Sequence, residues 1–329
     1  MRILITGAAG FVGQHVVRQA LANGHQVRAL LLPETKLAIS QGNNLEVVFA
    51  DLRHSVGLPE ALCDVDSVIH LAVAMRGTAT EVITDTVLGT SNLIESMTKT
   101  RGKRLVLISS MSVYDYLGLD SLAVLDESSP LEPSPCRRDY YCQAKLKQES
   151  IARTMTIDAA IELVVIRPGA IVGPGRFWTA RLGHQLSSRI WLRCGGDAIL
   201  PLTYVENCAE AIVRAAELPA AAGETMNVVD DNLPNQRQYI AMLRRRGGAR
   251  IAVIPLPWAF VRAVSFVASS TNSRLLGGRM NLPQLLSIEN AHARFKPLRY
   301  SNRRVKEVLH WQPKRSIDEA MVRNDVGRE

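Results

Sequence analysis

Paired cysteines are missing from this sequence. The five present, Cys63, Cys136, Cys142, Cys194 and Cys208, are odd in number and form no C-x-x-C spacing. That excludes a disulfide framework and a cysteine zinc site, and leaves free thiols as the reading. The seven histidines form no H-x-x-x-H or H-E-x-x-H pair either, so no metal ligand set is legible. Aromatic residues make up only 5% of the chain, and none is interleaved with basic residues in a recognition motif; specific nucleic-acid binding is set aside. No repeat or low-complexity tract interrupts an ordinary globular composition.

Long apolar runs are absent too: no window reaches the roughly 18 uninterrupted residues of a spanning helix. The nearest, IAVIPLPWAFVRAVSFVA, is broken by Pro255, Pro257 and Arg262. It reads as a proline-bounded strand followed by a buried helix, with a helix lying on a membrane surface as the other reading. The opening MRILITG reads as a strand rather than a charged leader, which predicts a cytoplasmic protein. Acidic residues thin out late in the chain: residues 237–329 hold 18 Lys/Arg against 6 Asp/Glu, although the whole chain is only +8. A solvated basic face accounts for this, or an anionic substrate or surface.

What is present is a regular alternation. Strand-like apolar runs at Arg2–Ile5, Val27–Leu32, Val47–Phe49, Ser67–Leu71, Arg104–Ser109 and Leu163–Ile166 are separated by helical periodicity at Val12–Ala22, Thr84–Lys99 and Tyr141–Arg153. This predicts an α/β fold, a Rossmann-type doubly wound parallel sheet with a smaller mixed C-terminal substrate lobe. The expected division is 1–168 with 202–230 as the dinucleotide-binding domain and 169–201 with 231–329 as the lobe. PLTYVENCAEAIVRAAE reads as a return into the sheet followed by a helix.

Between the first strand and the first helix stands ITGAAGFVG. A strand that turns sharply into a helix needs a glycine for the turn, one where pyrophosphate meets bare backbone, and one where the helix packs on the sheet. Unpaired N–H groups at the helix start would hold the phosphate. Later, ISSMSVY follows the fifth strand, and YCQAK places Tyr141 and Lys145 four residues apart, on one face of a helix. A phenol of pKa near 10 is a poor base unless nearby positive charge stabilises its phenolate.

The spacing T-G-x-x-G-x-x-G from Thr6 to Gly13 resembles the dinucleotide loop of the extended short-chain dehydrogenase/reductase superfamily, the NAD-dependent epimerase/dehydratase branch. His70-Leu71-Ala72, VLGTSNL from Val87 and IRPGAIVGPG from Ile166 are similar to further landmarks of that superfamily. The C-terminal VEN, IPLPWAF and YSNRRVKEVLHWQP resemble hydroxysteroid-dehydrogenase-like members. The resemblance implies dinucleotide contacts from Gly7, Gly10, Phe11, Val12 and Gly13, from Asp51 and Leu52 at the adenine, from Leu71 and Ala72, and from Tyr141, Lys145 and Pro168 near the nicotinamide. It implies Tyr141 as proton donor and acceptor, Lys145 as the residue holding the ribose and lowering the phenol pKa, and Ser110 as the partner of the reacting oxygen. Ser109 and Ser112 stay open as rivals for the serine, and Tyr140 for the tyrosine.

Two positions depart from the pattern. VRALLLPE ends without the acid that grips the adenosine ribose and without an arginine for a 2′-phosphate. NAD and NADP therefore both stay open, with a lean to NAD, and Glu34 and Lys36 are the substitutes at hand. Thr86 occupies the place of the asparagine that supports a relay water. For a small-molecule substrate, Leu200 replaces the arginine that holds a nucleotide-sugar diphosphate. Arg176, Arg193 and Arg299 are the alternative cations for a nucleotide sugar; for a hydroxysteroid-like alcohol, Ile254–Phe266 would line the pocket. The expected chemistry is hydride transfer at a secondary alcohol or ketone; the other class of reading is a non-catalytic redox sensor or scaffold. A homodimer is left open.

Overall fold

The computed structural model describes every residue except 40–41, 75–76, 188–189, 248–251, 276–281, 284–285 and 324–329. Seven strands form one parallel sheet: β1 (Arg2–Thr6), β2 (Gln26–Leu31), β3 (Leu45–Phe49), β4 (Ser67–His70), β5 (Arg104–Ile108), β6 (Glu162–Pro168) and β7 (Thr225–Val228), in the order β7-β6-β5-β4-β1-β2-β3. The strand order reverses beside β1, where doubly wound sheets leave a ligand crevice. The central strands read as unbroken apolar runs because both faces are covered. Ile3, Ile5, Val106 and Ile108 pack on one face, while Leu4, Leu105 and Leu107 pack on the other.

Helices α1 (Phe11–Ala22) and α4 (Val205–Glu217) cover the first face through Val16, Val17, Ala20 and Ile212. Helices α2 (Ala79–Lys99) and α3 (Tyr140–Asp158) cover the second through Leu93, Ile94, Met97 and Ala152. Helix α2 starts five residues earlier than its apolar period indicates, because Thr78 and Glu81 form a reciprocal capping box. Asp139 caps α3 by accepting the Cys142 N–H at 3.0 Å.

Two expectations need correction. The LTY strand, Leu202–Tyr204, does not return to the large sheet; it pairs with Ala170–Val172 as a separate ribbon, and β7 is the strand that rejoins. Gly169 makes this possible: a Cβ there would lie 2.2 Å from the Pro201 carbonyl oxygen, so the chain leaving β6 runs hard against the segment that precedes Leu202. The helix after the proline-bounded strand is not buried. In the lobe, α5 (Gln236–Gly247) is followed by strand Ala252–Leu256, then α6 (Trp258–Leu275) and α7 (Ile288–Phe295). Helix α6 packs on α7, but only Val261 and Ser265 of it are buried, and Phe260, Val264, Phe266, Val267 and Leu275 are exposed. Among the described residues no helix is long and apolar enough to cross a membrane.

Candidate active site

The loop after β1 shows what each glycine does. Gly7 has φ +68°, and a Cβ on it would lie 2.9 Å from the Ala72 nitrogen, so both the turn and the close approach of the β4 exit need glycine. A Cβ on Gly13 would sit 2.1 Å from the Gly7 carbonyl oxygen, so only a hydrogen there lets α1 press onto the loop. Gly10 is different. Its backbone is ordinarily extended, and an added Cβ would meet only the Gly7 oxygen, at 3.2 Å. Helix α1 starts there with no side-chain cap and no acid in its first turn. An uncapped helix start with room above it suits a pyrophosphate, which would meet free N–H groups and the positive end of the helix dipole. The residues present therefore fit a dinucleotide.

Strand β5 delivers Ser110 to the carboxyl edge of the sheet, where it starts a short 3₁₀ turn and accepts the Ser112 N–H at 3.1 Å. The first turn of α3 brings Tyr141 against it. Burial pushes the Tyr141 phenol up from its ordinary value, while neighbouring Ser110 and the charge of Arg176 pull it down.

One turn further, the Lys145 ammonium is buried and donates to the Ile108 carbonyl at 2.7 Å and to Gln148 Oε1 at 2.9 Å. Both acceptors are neutral, so burial lowers its pKa to about 8, with Glu149 opposing from a distance. Glu149 itself is engaged by Arg167 at 2.6 and 3.0 Å.

Behind Lys145 lies a buried polar chain that sequence reading missed. Gln148 Nε2 donates to Thr90 Oγ1 at 2.9 Å and meets His70 Nε2 at 3.2 Å, while His70 Nδ1 meets Thr6 Oγ1 at 2.7 Å. Burial and the Lys145 charge push His70 down to about 3, so it stays neutral. The offset of three residues from Lys145 was the available signal, since it places Gln148 on the same helical face. Thr86 donates to the Val82 carbonyl at 2.7 Å and accepts the Ala74 N–H at 3.2 Å.

These groups open onto a cleft of about 600 Å³. Its wall contains Gly7, Gly10, Phe11, Val12, Gly13, Leu71, Ser110, Tyr141, Lys145 and Pro168. Asp51, Leu52 and Ala72 are not part of that wall. Asp51 instead holds Arg53 at 2.6 Å, Leu52 accepts Asn92 through its carbonyl, and the Ala72 N–H reaches Thr6 Oγ1.

Four arginines, Arg138, Arg176, Arg181 and Arg294, also face the cleft, and Asp139 is the only acid among the described lining residues; Arg138 is paired with Glu132 at 3.1 Å. Arg176 lies 5.5 Å over the Phe11 ring. Arg181 donates to the Ala293 carbonyl at 2.9 Å. Burial lowers the Arg294 pKa, and neighbouring Arg181 and Arg138 add to the effect while Asp139 opposes it. Of the three cations suggested by sequence, Arg176 alone is here. Arg193 pairs with Asp197 at 3.3 Å outside the cleft, and Arg299 sits on an exposed strand position beside Val124. Leu200 is buried in the lobe core, and Ile254–Phe266 contributes nothing to the lining, which corrects the apolar-pocket expectation. Arg181 and Arg294 carried no sequence signal, because the fold brings them in from segments far from Tyr141.

Comparison with known proteins places this geometry. A family model for the NAD dependent epimerase/dehydratase family matches residues 3–229. Tetraketide alpha-pyrone reductase 2 of Arabidopsis thaliana is 31% identical over 270 residues, 74% of this chain and 82% of that protein. The N-acetyl-alpha-D-glucosaminyl-diphospho-ditrans,octacis-undecaprenol 4-epimerase of Escherichia coli O157:H7 is 29% identical over 78% of this chain and 75% of its own length. The match to cinnamoyl-CoA reductase 1 of Petunia hybrida, at 29%, spans 55% of that protein. Among solved structures, UDP-glucuronic acid 4-epimerase from Bacillus cereus in complex with NAD superposes with a TM-score of 0.73 at 20% identity, covering 98% of this chain and 96% of that one. A sheet reversing at a glycine loop, a Tyr-x-x-x-Lys helix beside it and a family match across that whole region lead to one assignment: the chain belongs to the NAD-dependent epimerase/dehydratase family, enzymes of the extended short-chain dehydrogenase type.

Proposed function

We propose that this chain moves a hydride at a secondary alcohol or ketone of an anionic, diphosphate-bearing sugar, with Ser110, Tyr141 and Lys145 as its catalytic residues. The dinucleotide, when bound, supplies the hydride acceptor or donor. Gly7, Gly10, Phe11, Val12 and Gly13 bind its pyrophosphate side; Asp51, Leu52, Leu71, Ala72 and Pro168 are assigned to its remaining contacts. Ser110 holds the reacting oxygen, and Tyr141 takes its proton during oxidation or returns it during reduction. Burial keeps the phenol protonated at neutral pH, so base action requires added positive charge, which Arg176 supplies in part. Lys145, whose ammonium donates to the Ile108 carbonyl and Gln148, is assigned to the nicotinamide ribose. NAD is favoured over NADP because no arginine follows β2.

One observation carries the substrate class: Arg176, Arg181 and Arg294 face the same cleft as Tyr141, with Asp139 the one acid among the described lining residues. A cationic wall attracts an anion, and arginine forks suit phosphate oxygens. The relative that acts on a sugar diphosphate supports the same class. On this reading 1–168 with 202–230 holds the dinucleotide and 169–201 with 231–329 holds the substrate. The test is binding and NADH formation with UDP-sugars and with hydroxysteroids at low and high salt. Sugar-diphosphate binding that weakens with salt, and falls at least about tenfold in Arg294→Met, agrees. Salt-insensitive activity on a hydroxysteroid contradicts it.

A further inference from the structure

Helix α6 is the most unusual surface of the molecule. Phe260, Val264, Val267 and Leu275 are spaced to share one face and are 55%, 37%, 61% and 77% exposed, with Phe266 exposed at 57% on another side. A helix this apolar ordinarily covers a core; this one buries only Val261 and Ser265, and is tied to α7 by Trp258 on the His292 ring and by Ser269 accepting the Ile288 N–H. The charge on the helix itself is of one sign: its only two charged residues are Arg262 and Arg274, both exposed.

We infer that α6, through its exposed apolar face and its two arginines, docks onto an anionic lipid bilayer. Apolar side chains on more than one side of a projecting helix suit the headgroup and acyl boundary, into which such a helix sinks, better than they suit a single groove. The arginines match the negative surface potential of anionic lipids. A second copy of this chain seated helix on helix is a poor occupant, since α6 carries no acid with which to complement its own arginines. Docking through α6 would hold the cleft close to the membrane plane, because α6 packs on α7, which carries Arg294 to the cleft. The inference does not depend on the substrate assignment.

The full chain is tested by flotation with vesicles of phosphatidylcholine alone or mixed with phosphatidylglycerol, at roughly 0.1 M and 0.5 M salt. We expect at least about tenfold more protein with the anionic vesicles, and less at high salt. The combined variant Phe260→Ser, Val264→Ser and Val267→Ser should lose that binding. The pair Arg262→Gln and Arg274→Gln should weaken it and flatten its salt dependence. Each variant alters exposed positions away from the glycine loop, so NADH affinity should be retained, which shows that the chain is folded. No flotation with either vesicle, equal flotation of the serine variant, or light scattering that shows a dimer converted to monomer by the same substitutions would overturn the inference.

Discussion

Replacing Gly13 with alanine puts a methyl carbon 2.1 Å from the Gly7 carbonyl oxygen and 2.8 Å from Ala8 Cα. Both neighbours are backbone, so the contact is relieved only by moving the start of α1 by roughly 1 Å. Val16, Val17 and Ala20 resist that shift, being fully buried against the sheet. Overpacking of this kind costs about 3 kcal/mol. For a chain of 329 residues that corresponds to a melting temperature lower by about 4 °C.

Gly10→Val is the paired control. Its Cβ meets only the Gly7 oxygen at 3.2 Å, and the extended backbone there accepts a branched side chain, so melting should shift by no more than about 2 °C. The new methyls would instead occupy the space assigned to the pyrophosphate. Two lost charge-assisted hydrogen bonds at about 1.5–3 kcal/mol each predict NADH affinity weaker by about 10² to 10⁴. The assay is thermal melting by circular dichroism beside NADH fluorescence titration for both variants. A Gly10→Val protein that binds NADH like the wild type would refute the ligand role of the loop. A Gly13→Ala protein that melts like the wild type would refute the packing argument.

Tyr141→Phe should lower turnover by about 10² to 10⁴ and leave NADH affinity within a few-fold, and a variant of undiminished activity would remove Tyr141 from the mechanism. Lys145→Met should separate function from stability. The lysine pKa falls from 10.5 in the unfolded chain to about 8 in the fold. Because the folded value is the lower one, the unfolded chain takes up the proton first, and stability declines as pH falls from about 10.5 to about 8, then levels off. The methionine variant lacks this penalty, worth up to about 3 kcal/mol. It also leaves the Ile108 carbonyl and Gln148 short of a donor at every pH. Its melting temperature relative to wild type should therefore rise between pH 10 and pH 7.5; a pH-independent difference would show that the ammonium is not desolvated.

Most of the central sheet was legible because parallel strands buried on both faces leave unbroken apolar runs such as RLVLI and LVVI. The loop was legible because glycine alone fits where Gly7 turns and Gly13 packs. Tyr141 and Lys145 share a helix, so their spacing survives into the fold. Where pairing depends on tertiary contact, sequence patterns failed: Leu202–Tyr204 has the composition of a sheet strand, yet it meets Ala170–Val172 after the close approach at Gly169. The apolar run of α6 implied burial, although hydropathy records composition and not whether a partner surface exists. Gln148, Arg181 and Arg294 were silent for a similar reason, since their meaning comes from partners distant in the chain.

The most direct test of the central claim is a crystal structure of the protein with NADH. The account predicts the pyrophosphate on the α1 N-terminus between Gly7 and Gly13, the nicotinamide ribose at Lys145, and the Tyr141 hydroxyl facing the cleft within about one substrate oxygen of the nicotinamide ring. Density for the dinucleotide elsewhere, or a nicotinamide ring turned away from Ser110 and Tyr141, would contradict it.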